Sequence, residues 1–330
     1  MKNASPYYSV GPLLYCPANR ETIASSIIRQ QFGSNFSLAL CLEDTIHDDF
    51  VAEAEHSLAR SIREIFNATG QTSFYLPKIF IRVRCPEQIP HLIHMLGESI
   101  RIINGFIIPK FSMENADCYI QAMIKANEQA ASDKPFYMMP IYESASLINL
   151  KSRYDILYAL KQKLSGIEDL VLNIRVGGND LCHLFSFRRR LNESIHKLRP
   201  VSDIFSDIIT VYGMDYVISG PVFEYYSGEG WKEGLQHELF EDKLCGFIGK
   251  TVIHPNQIDV VNHAYRVDQE EYEDALRILN WDQTSASYVS ANARRERMDE
   301  FKTHTNWAKK ILLMADAFGI KANGNYTHER

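Results

Sequence analysis

Phe136-Tyr-Met-Met-Pro-Ile-Tyr-Glu143 and Val171-Leu-Asn-Ile-Arg-Val-Gly-Gly-Asn-Asp180 are two apolar runs that each end in an acid. Continuous apolarity, rather than alternation, is the pattern of a strand buried on both faces, as in a parallel sheet covered by helices. In a parallel barrel the C-terminal ends of the strands converge on one mouth, where the chemistry sits. Two carboxylates delivered there make a site for a small hard cation. Mg²⁺ fits best, because it takes oxygen ligands and keeps several waters for substrate to displace. Glu143 and Asp180 are thus the candidate metal ligands. The competing reading makes both acids helix N-caps. Asp180 suits that role; Glu143 does not, and Ser144 beside it is the better cap.

Six further runs flank this pair. Pro12-Leu-Leu-Tyr-Cys-Pro17, Phe36-Ser-Leu-Ala-Leu-Cys-Leu-Glu-Asp44, Tyr75-Leu-Pro-Lys-Ile-Phe-Ile-Arg-Val-Arg84 and Gly105-Phe-Ile-Ile-Pro-Lys-Phe111 precede it; Tyr216-Val-Ile-Ser-Gly-Pro-Val-Phe223 and Gly249-Lys-Thr-Val-Ile-His-Pro255 follow. Helical spacing fills the gaps at about 50–66, 86–96 and 113–130. Alternation of short apolar runs with helices predicts a parallel sheet, and eight runs predict closure into a TIM (β/α)8 barrel. Two segments exceed a minimal barrel. One is an insertion between strands 6 and 7, from Cys182 to Asp215, with Arg188-Arg-Arg190 and a helix at about 201–211. The other is a C-terminal helical extension, residues 266–330, appended to a catalytic domain of residues 1–265. Its last helix is expected at about 305–318, and its polar tail from Lys321 onward is expected to be mobile.

With 330 residues, 45% hydrophobic and 23% charged, the composition is that of a globular protein. A net charge of −6 without a long basic run argues against nucleic-acid binding. No run is long enough for a membrane span, and Met1-Lys-Asn-Ala-Ser-Pro6 lacks the apolar core of a secretion signal. The six cysteines form no Cys-x-x-Cys pair. Cys16, Cys41, Cys85 and Cys245 lie in or beside apolar runs, which predicts buried thiols in a reducing cytoplasm rather than a disulfide or zinc framework.

Other strand ends supply polar groups. Glu43 and Asp44 end the second strand and are candidates to orient metal-bound water, to hold Arg20 or to act as general base; a purely structural pair is the alternative. Asn19 and Arg20 close the first strand as candidate anion binders. Lys110 raises Schiff-base chemistry, which an acid-rich mouth opposes by keeping it charged. His254 reads as a capping or packing histidine, and His47 as an exposed loop residue. Arg188-Arg-Arg190 is either a binder of a phosphorylated or polyanionic substrate arm or a solvated basic face.

Taken in order, Leu14-Tyr-Cys-Pro-Ala-Asn-Arg20, Leu42-Glu-Asp44, Ile81-Arg-Val-Arg84, Ile108-Pro-Lys110, Ile141-Tyr-Glu143, Gly177-Gly-Asn-Asp-Leu181 and Lys250-Thr-Val-Ile-His-Pro-Asn-Gln257 resemble the strand-end motifs of the HpcH/HpaI aldolase family. The likeness is to its citrate lyase β-subunit-like branch and covers roughly residues 11–265. It implies a TIM barrel that makes or breaks carbon–carbon bonds, Glu143 and Asp180 on Mg²⁺, and Arg82 on the substrate carboxylate. The chemistry agrees. Aldol-type cleavage develops negative charge on a carbonyl oxygen, which a divalent cation stabilises, and an arginine fork fixes a carboxylate bidentately. A salt bridge from Arg82 to Glu43 or Asp44 is the structural alternative.

The chain departs from the pattern at Glu21, at Arg84 where an asparagine is usual, in the long insertion and in Ser219-Gly-Pro-Val-Phe223. These departures suggest a divergent lyase branch acting on a 2-oxo acid, a β-hydroxy acid or an acyl substrate. Arg82, Glu43 and Asp44 are the expected catalytic set, and Asn19, Arg20 and Arg82 the expected substrate-binding set. Acyl-CoA or phosphorylated forms of the substrate remain open, with no specific signal for coenzyme A. The resemblance also implies a homo-oligomer, a trimer or hexamer, formed through the C-terminal extension. The rival functions are hydrolysis of an acyl thioester at the same metal and a non-catalytic ligand-binding partner of a biosynthetic enzyme.

Overall fold

The computed structural model describes residues 5–129, 134–282, 284 and 286–321. Eight strands alternate with helices: β1 (Pro12–Pro17), β2 (Ser37–Cys41), β3 (Lys78–Arg82), β4 (Ile103–Ile108), β5 (Tyr137–Tyr142), β6 (Ile174–Val176), β7 (Ile218–Ser219) and β8 (Lys250–Val252). All neighbouring pairs are parallel, in the order β7-β6-β5-β4-β3-β2-β1-β8. Closure between β7 and β8 runs through Gly220, whose N–H donates to the Gly249 carbonyl at 3.0 Å and whose carbonyl accepts from Thr251 N–H at 3.2 Å. The chain is a TIM (β/α)8 barrel.

Two apolar layers follow from strands buried on both faces. Leu13, Ala39, Phe80, Ile107, Met139, Ile141 and Leu172 fill the barrel interior. The opposite strand faces pack on the helices; Val51–Thr69, for example, turns Ala54, Leu58, Ile62 and Ile65 inward at helical spacing. Gly105 lets β4 approach β5: a Cβ there would stand 1.9 Å from the Tyr137 carbonyl oxygen, and its φ is +154°.

The insertion is built into the body of the fold. Its helix spans Arg199–Tyr212, and Arg189 is buried, paired with Glu238 and donating to the Val222 carbonyl at 2.7 Å. Glu238 and Asp242, on helix Trp231–Cys245, both receive the fully buried Lys250 ammonium, at 2.9 and 2.7 Å. His196 Nε2 donates to Asp242 at 2.7 Å. Arg189 is therefore a structural residue, neither a substrate-arm binder nor part of a solvated face, whereas Arg188 is exposed.

Beyond Tyr265, helices Gln269–Leu279 and Phe301–Phe318 pack together around an antiparallel hairpin, Val289–Ala291 with Met298–Glu300, that the sequence pattern did not announce. Phe318 stacks on Tyr265 at 5.3 Å, fixing the extension to the barrel. The tail expected to be mobile lies, at 322–330, outside the described residues. Two cysteine expectations fail: Cys85 and Cys245 are exposed, while Cys16 and Cys41 are buried as expected. A thiol beside an apolar run points inward only if the strand or helix face turns it there, and sequence adjacency does not fix that face. Among the described residues no helix is long and apolar enough to cross a membrane.

Candidate active site

The C-terminal ends of β2, β3 and β5 and the helix after β6 set Asp44, Arg82, Glu143 and Asp180 in the lining of a cavity of about 350 Å³, and Glu43 and Lys110, after β2 and β4, are ion-paired to these lining residues. Arg82 is the hub. Its Nη2 lies 2.7 Å from Glu43 Oε2, 3.0 Å from Asp44 Oδ2 and 3.3 Å from Glu143 Oε1. The salt bridge anticipated as an alternative for Arg82 is thus present, and it fixes the guanidinium. Nε is buried with no partner among the described residues. Burial alone would lower the guanidinium's basicity, but Tyr15, Glu143 and Glu43 around it outweigh that and hold it charged.

Glu143 follows β5 directly and is 4% exposed. It accepts the Lys110 backbone N–H at 3.0 Å. Its other oxygen lies against Gly177, where a Cβ would come within 2.0 Å. Gly177 is thus required for the carboxylate to reach this position. Burial drives the Glu143 carboxyl up to about 8; Arg82 opposes this, while Asp180, close enough to share a hydrogen bond, reinforces it. Two carboxyl groups that close together must share either a proton or a cation. Asp180 sits inside the first turn of helix Gly178–Leu184, whose cap position is Gly177, so it is not an N-cap. Ser144 caps the turn Ala145–Ile148 by accepting the Ser146 N–H.

The residues fit a divalent ion of the Mg²⁺ type. Glu143 and Asp180 supply two oxygens side by side. Among the described residues no set of three or more His, Cys, Asp or Glu side chains is gathered tightly enough to enclose a metal. A two-carboxylate site leaves the remaining positions to water and substrate, as Mg²⁺ prefers.

Opposite the pair, Lys110 Nζ bridges Glu43 Oε1 at 2.6 Å and Asp44 Oδ1 at 3.1 Å. Burial alone would lower its basicity, but the two acids outweigh that and hold it charged. This opposes Schiff-base formation, which needs a neutral amine. Burial raises Glu43, with Arg82 pulling the other way. At Asp44 burial also pushes upward, but its contacts with Glu43, Arg82 and Lys110 prevail and hold it below the usual range. The loop carrying both acids is clamped by Arg84, which donates to the carbonyls of Leu42 at 2.7 Å and Ile46 at 2.9 Å and to Asp48 at 2.7 Å.

Asn19 and Arg20 stand at the same rim but are exposed and do not line the cavity; Arg20 Nε donates to Thr22 Oγ1 at 3.2 Å. His47 accepts the Asp49 N–H in an exposed loop, and His254 accepts the Asn256 N–H and stacks on Tyr226 at 4.5 Å. The sequence reading missed Tyr15, Arg175 and Thr251, which line the cavity on the β1, β6 and β8 side. Only Arg175 left a trace: a cation inside the apolar run Val171-Leu-Asn-Ile-Arg-Val176, where a strand buried on both faces has no outlet to water.

A family model described as carbon–carbon bond lyase of the TIM-barrel fold matches residues 4–320. No curated protein matches. Among solved structures, CitE from Mycobacterium tuberculosis, in complex with magnesium, acetoacetate and coenzyme A, is 17% identical, with a TM-score of 0.63 over 94% of this chain and 99% of that one. A citrate lyase from Burkholderia xenovorans LB400 is 14% identical, with a TM-score of 0.70 over 95% and 93%. The citrate lyase beta subunit of M. tuberculosis, complexed with oxaloacetate and magnesium, is 18% identical, with a TM-score of 0.54 over 80% and 100%.

Proposed function

The chain belongs to the carbon–carbon bond lyases of the TIM-barrel fold, and on that premise we propose a Mg²⁺-dependent lyase that cleaves or forms a carbon–carbon bond in a 2-oxo or β-hydroxy acid. The observation that carries the metal assignment is the closeness of the Glu143 and Asp180 carboxyl groups at the mouth, the first buried and the second half-buried, able to share one hydrogen bond. Those two side chains hold the ion. When bound, it supplies Lewis-acid stabilisation of the negative charge that bond cleavage develops on the substrate. The magnesium and small acids in the related CitE and citrate lyase structures support this reading.

Arg82, fixed by three acids, orients the substrate carboxylate and adds positive charge on the cavity wall. Glu43, raised by burial and joined to Asp44 and Lys110, holds or moves the proton at its carboxyl; Asp44 stays ionised and keeps Lys110 and Arg82 in place. Asn19 and Arg20, on the exposed rim, contact only a substrate arm that projects out of the cavity. The cytoplasm and a trimeric or hexameric assembly complete the proposal.

The test is a screen of 2-oxo acids and β-hydroxy acids for Mg²⁺-dependent thermal shifts and turnover, on the native chain and on Glu143→Ala. The expected outcome is a shift in the native protein that Glu143→Ala loses while keeping its fold. An identical shift in both proteins refutes the assigned site, and release of a free thiol from acyl thioesters would replace bond cleavage with hydrolysis.

A further inference from the structure

Arg175 is 1% exposed and lines the cavity floor, yet among the described residues no acid pairs with it. The acids of the mouth are engaged elsewhere: Glu43, Asp44 and Glu143 with Arg82, Glu43 and Asp44 also with Lys110, and Asp180 with Glu143. Arg175 Nη2 donates to Thr251 Oγ1 at 2.6 Å, and the Tyr15 hydroxyl lies within hydrogen-bonding reach. Nη1 is buried with no hydrogen-bond partner of good geometry among the described residues. Ser219, paired in register with Arg175 across β6 and β7, also has a buried hydroxyl without a partner.

A guanidinium cannot shed its proton at ordinary pH, so its burial leaves an uncompensated cation. Such a cation is strongly destabilising unless an anion meets it. The polar groups around it, Thr251 and Tyr15, are neutral and remove none of that charge. Tyr15 also links the two arginines: its ring centroid is 5.9 Å from the Arg82 guanidinium carbon. The register gives the depth. Arg175 pairs with Ile141, two residues before Glu143. Arg175 therefore lies one inward-facing layer, roughly 7 Å along the strand, below the acid assigned to the metal.

We infer that Arg175, with Thr251 and Tyr15, forms a second anion subsite that receives the far carboxylate of a substrate whose near end is held by Arg82 and the metal ligands. The substrate of this chain is then a diacid: a 2-oxo or β-hydroxy acid with a second carboxylate within reach of the cavity floor. This rests on the proposed function for the orientation of the near end, but the subsite itself stands on Arg175 alone. The planar fork of Arg175, with one arm on Thr251 and the other open, matches a carboxylate.

Calorimetric titration with matched pairs tests the inference: oxaloacetate against 2-oxobutanoate, and 2-oxoglutarate against 2-oxopentanoate, each with saturating Mg²⁺ and again with EDTA. The native protein should bind the better-fitting diacid at least about tenfold more tightly than its neutral-tailed partner, the scale of one charge-assisted contact. Arg175→Gln should reduce that preference to within about twofold while keeping its Mg²⁺-induced thermal shift, and Arg175→Lys should keep part of it. A native protein without preference in either pair overturns the inference, as does an Arg175→Gln that is folded and still prefers the diacid. Tighter binding of phosphonate-tailed than of carboxylate-tailed probes overturns the carboxylate assignment. A diacid preference that depends on Arg175 but appears equally in EDTA upholds the subsite and counts against the metal-dependent reading instead.

Discussion

Two clusters of ionisable groups lie within this barrel, and they differ in how their charges close. Around Lys250 every charge has its opposite: Lys250 and Arg189 face Glu238 and Asp242, and His196 completes the ring of donors, with Glu238, Asp242 and Lys250 wholly buried. At the mouth, Glu43, Asp44, Glu143 and Asp180 outnumber Arg82 and Lys110, while Arg175 is left without an anion. A balanced buried network specifies and holds a structure. An unbalanced one stays costly until something of the missing charge arrives, under the proposed function a divalent cation on the acid side. The difference separates scaffold from site without reference to which residues are acids or bases.

The sharpest break of that contrast is Glu143→Ala. Removing one of the two proposed metal oxygens should lower kcat/KM by roughly 10³-fold or more, given the several kcal/mol a bound divalent ion contributes to the transition state. Circular dichroism and thermal melting should show little loss, because the acid leaves a crowded negative site. A variant that keeps Mg²⁺-dependent turnover within tenfold of the native rate would dissolve the distinction.

Lys250→Met should behave in the opposite way. It leaves Glu238 to Arg189 and Asp242 to His196, a buried network short of one cation, at about 3–5 kcal/mol for a broken buried pair. The melting temperature should fall by several degrees or more, read by calorimetry, while the folded fraction retains native kcat. A normal melting point with lost activity would place Lys250 in the chemistry and reverse the two roles.

The legibility of these clusters in the sequence was as unequal as their charges. Eight apolar runs with acids or polar residues at their ends identified the barrel, because a buried parallel strand and its mouth residue are adjacent in the chain. The same adjacency delivered Asp44, Arg82, Glu143 and Asp180 to one cavity, with Glu43 paired to Arg82 beside it. Asn19 and Arg20 share that strand-end position, yet Arg20 turns to Thr22, which only the course of the following helix decides. The Lys250 network was invisible, since its members come from the insertion, helix Trp231–Cys245 and β8, and nothing local announces a partner some fifty residues away. Arg84 was noted only as a departure from the family pattern; its clamp on the Glu43 loop appears once β2 and β3 are side by side.

pH offers a finer probe of the unbalanced side. The Glu143 carboxyl is raised to about 8, chiefly by burial. The folded chain therefore binds more protons than the unfolded one between the ordinary carboxylate range and about 8. Without metal, stability should fall as pH rises through that window. Mg²⁺ must displace the shared proton, so its affinity should climb by up to about tenfold per pH unit and level off near 8. Melting curves in EDTA and Mg²⁺ titrations between pH 6 and 9, on the native chain and on Glu143→Gln, read both slopes. Equal slopes in the two proteins would assign the proton elsewhere.

The smallest effect is expected at Lys110, which belongs to the site but is half exposed. Its ammonium draws the carboxyl groups of Glu43 and Asp44 downward. Lys110→Met removes that pull, so both carboxyl groups should titrate at higher pH. If Glu43 moves the proton as a base, the acid limb of the kcat/KM profile should shift upward, with a loss of less than about tenfold at the optimum. A limb that stays in place would mean that Glu43 does not set it. Abolition of activity would be the opposite surprise: it would make the lysine itself the reacting group, despite the two acids that keep it charged.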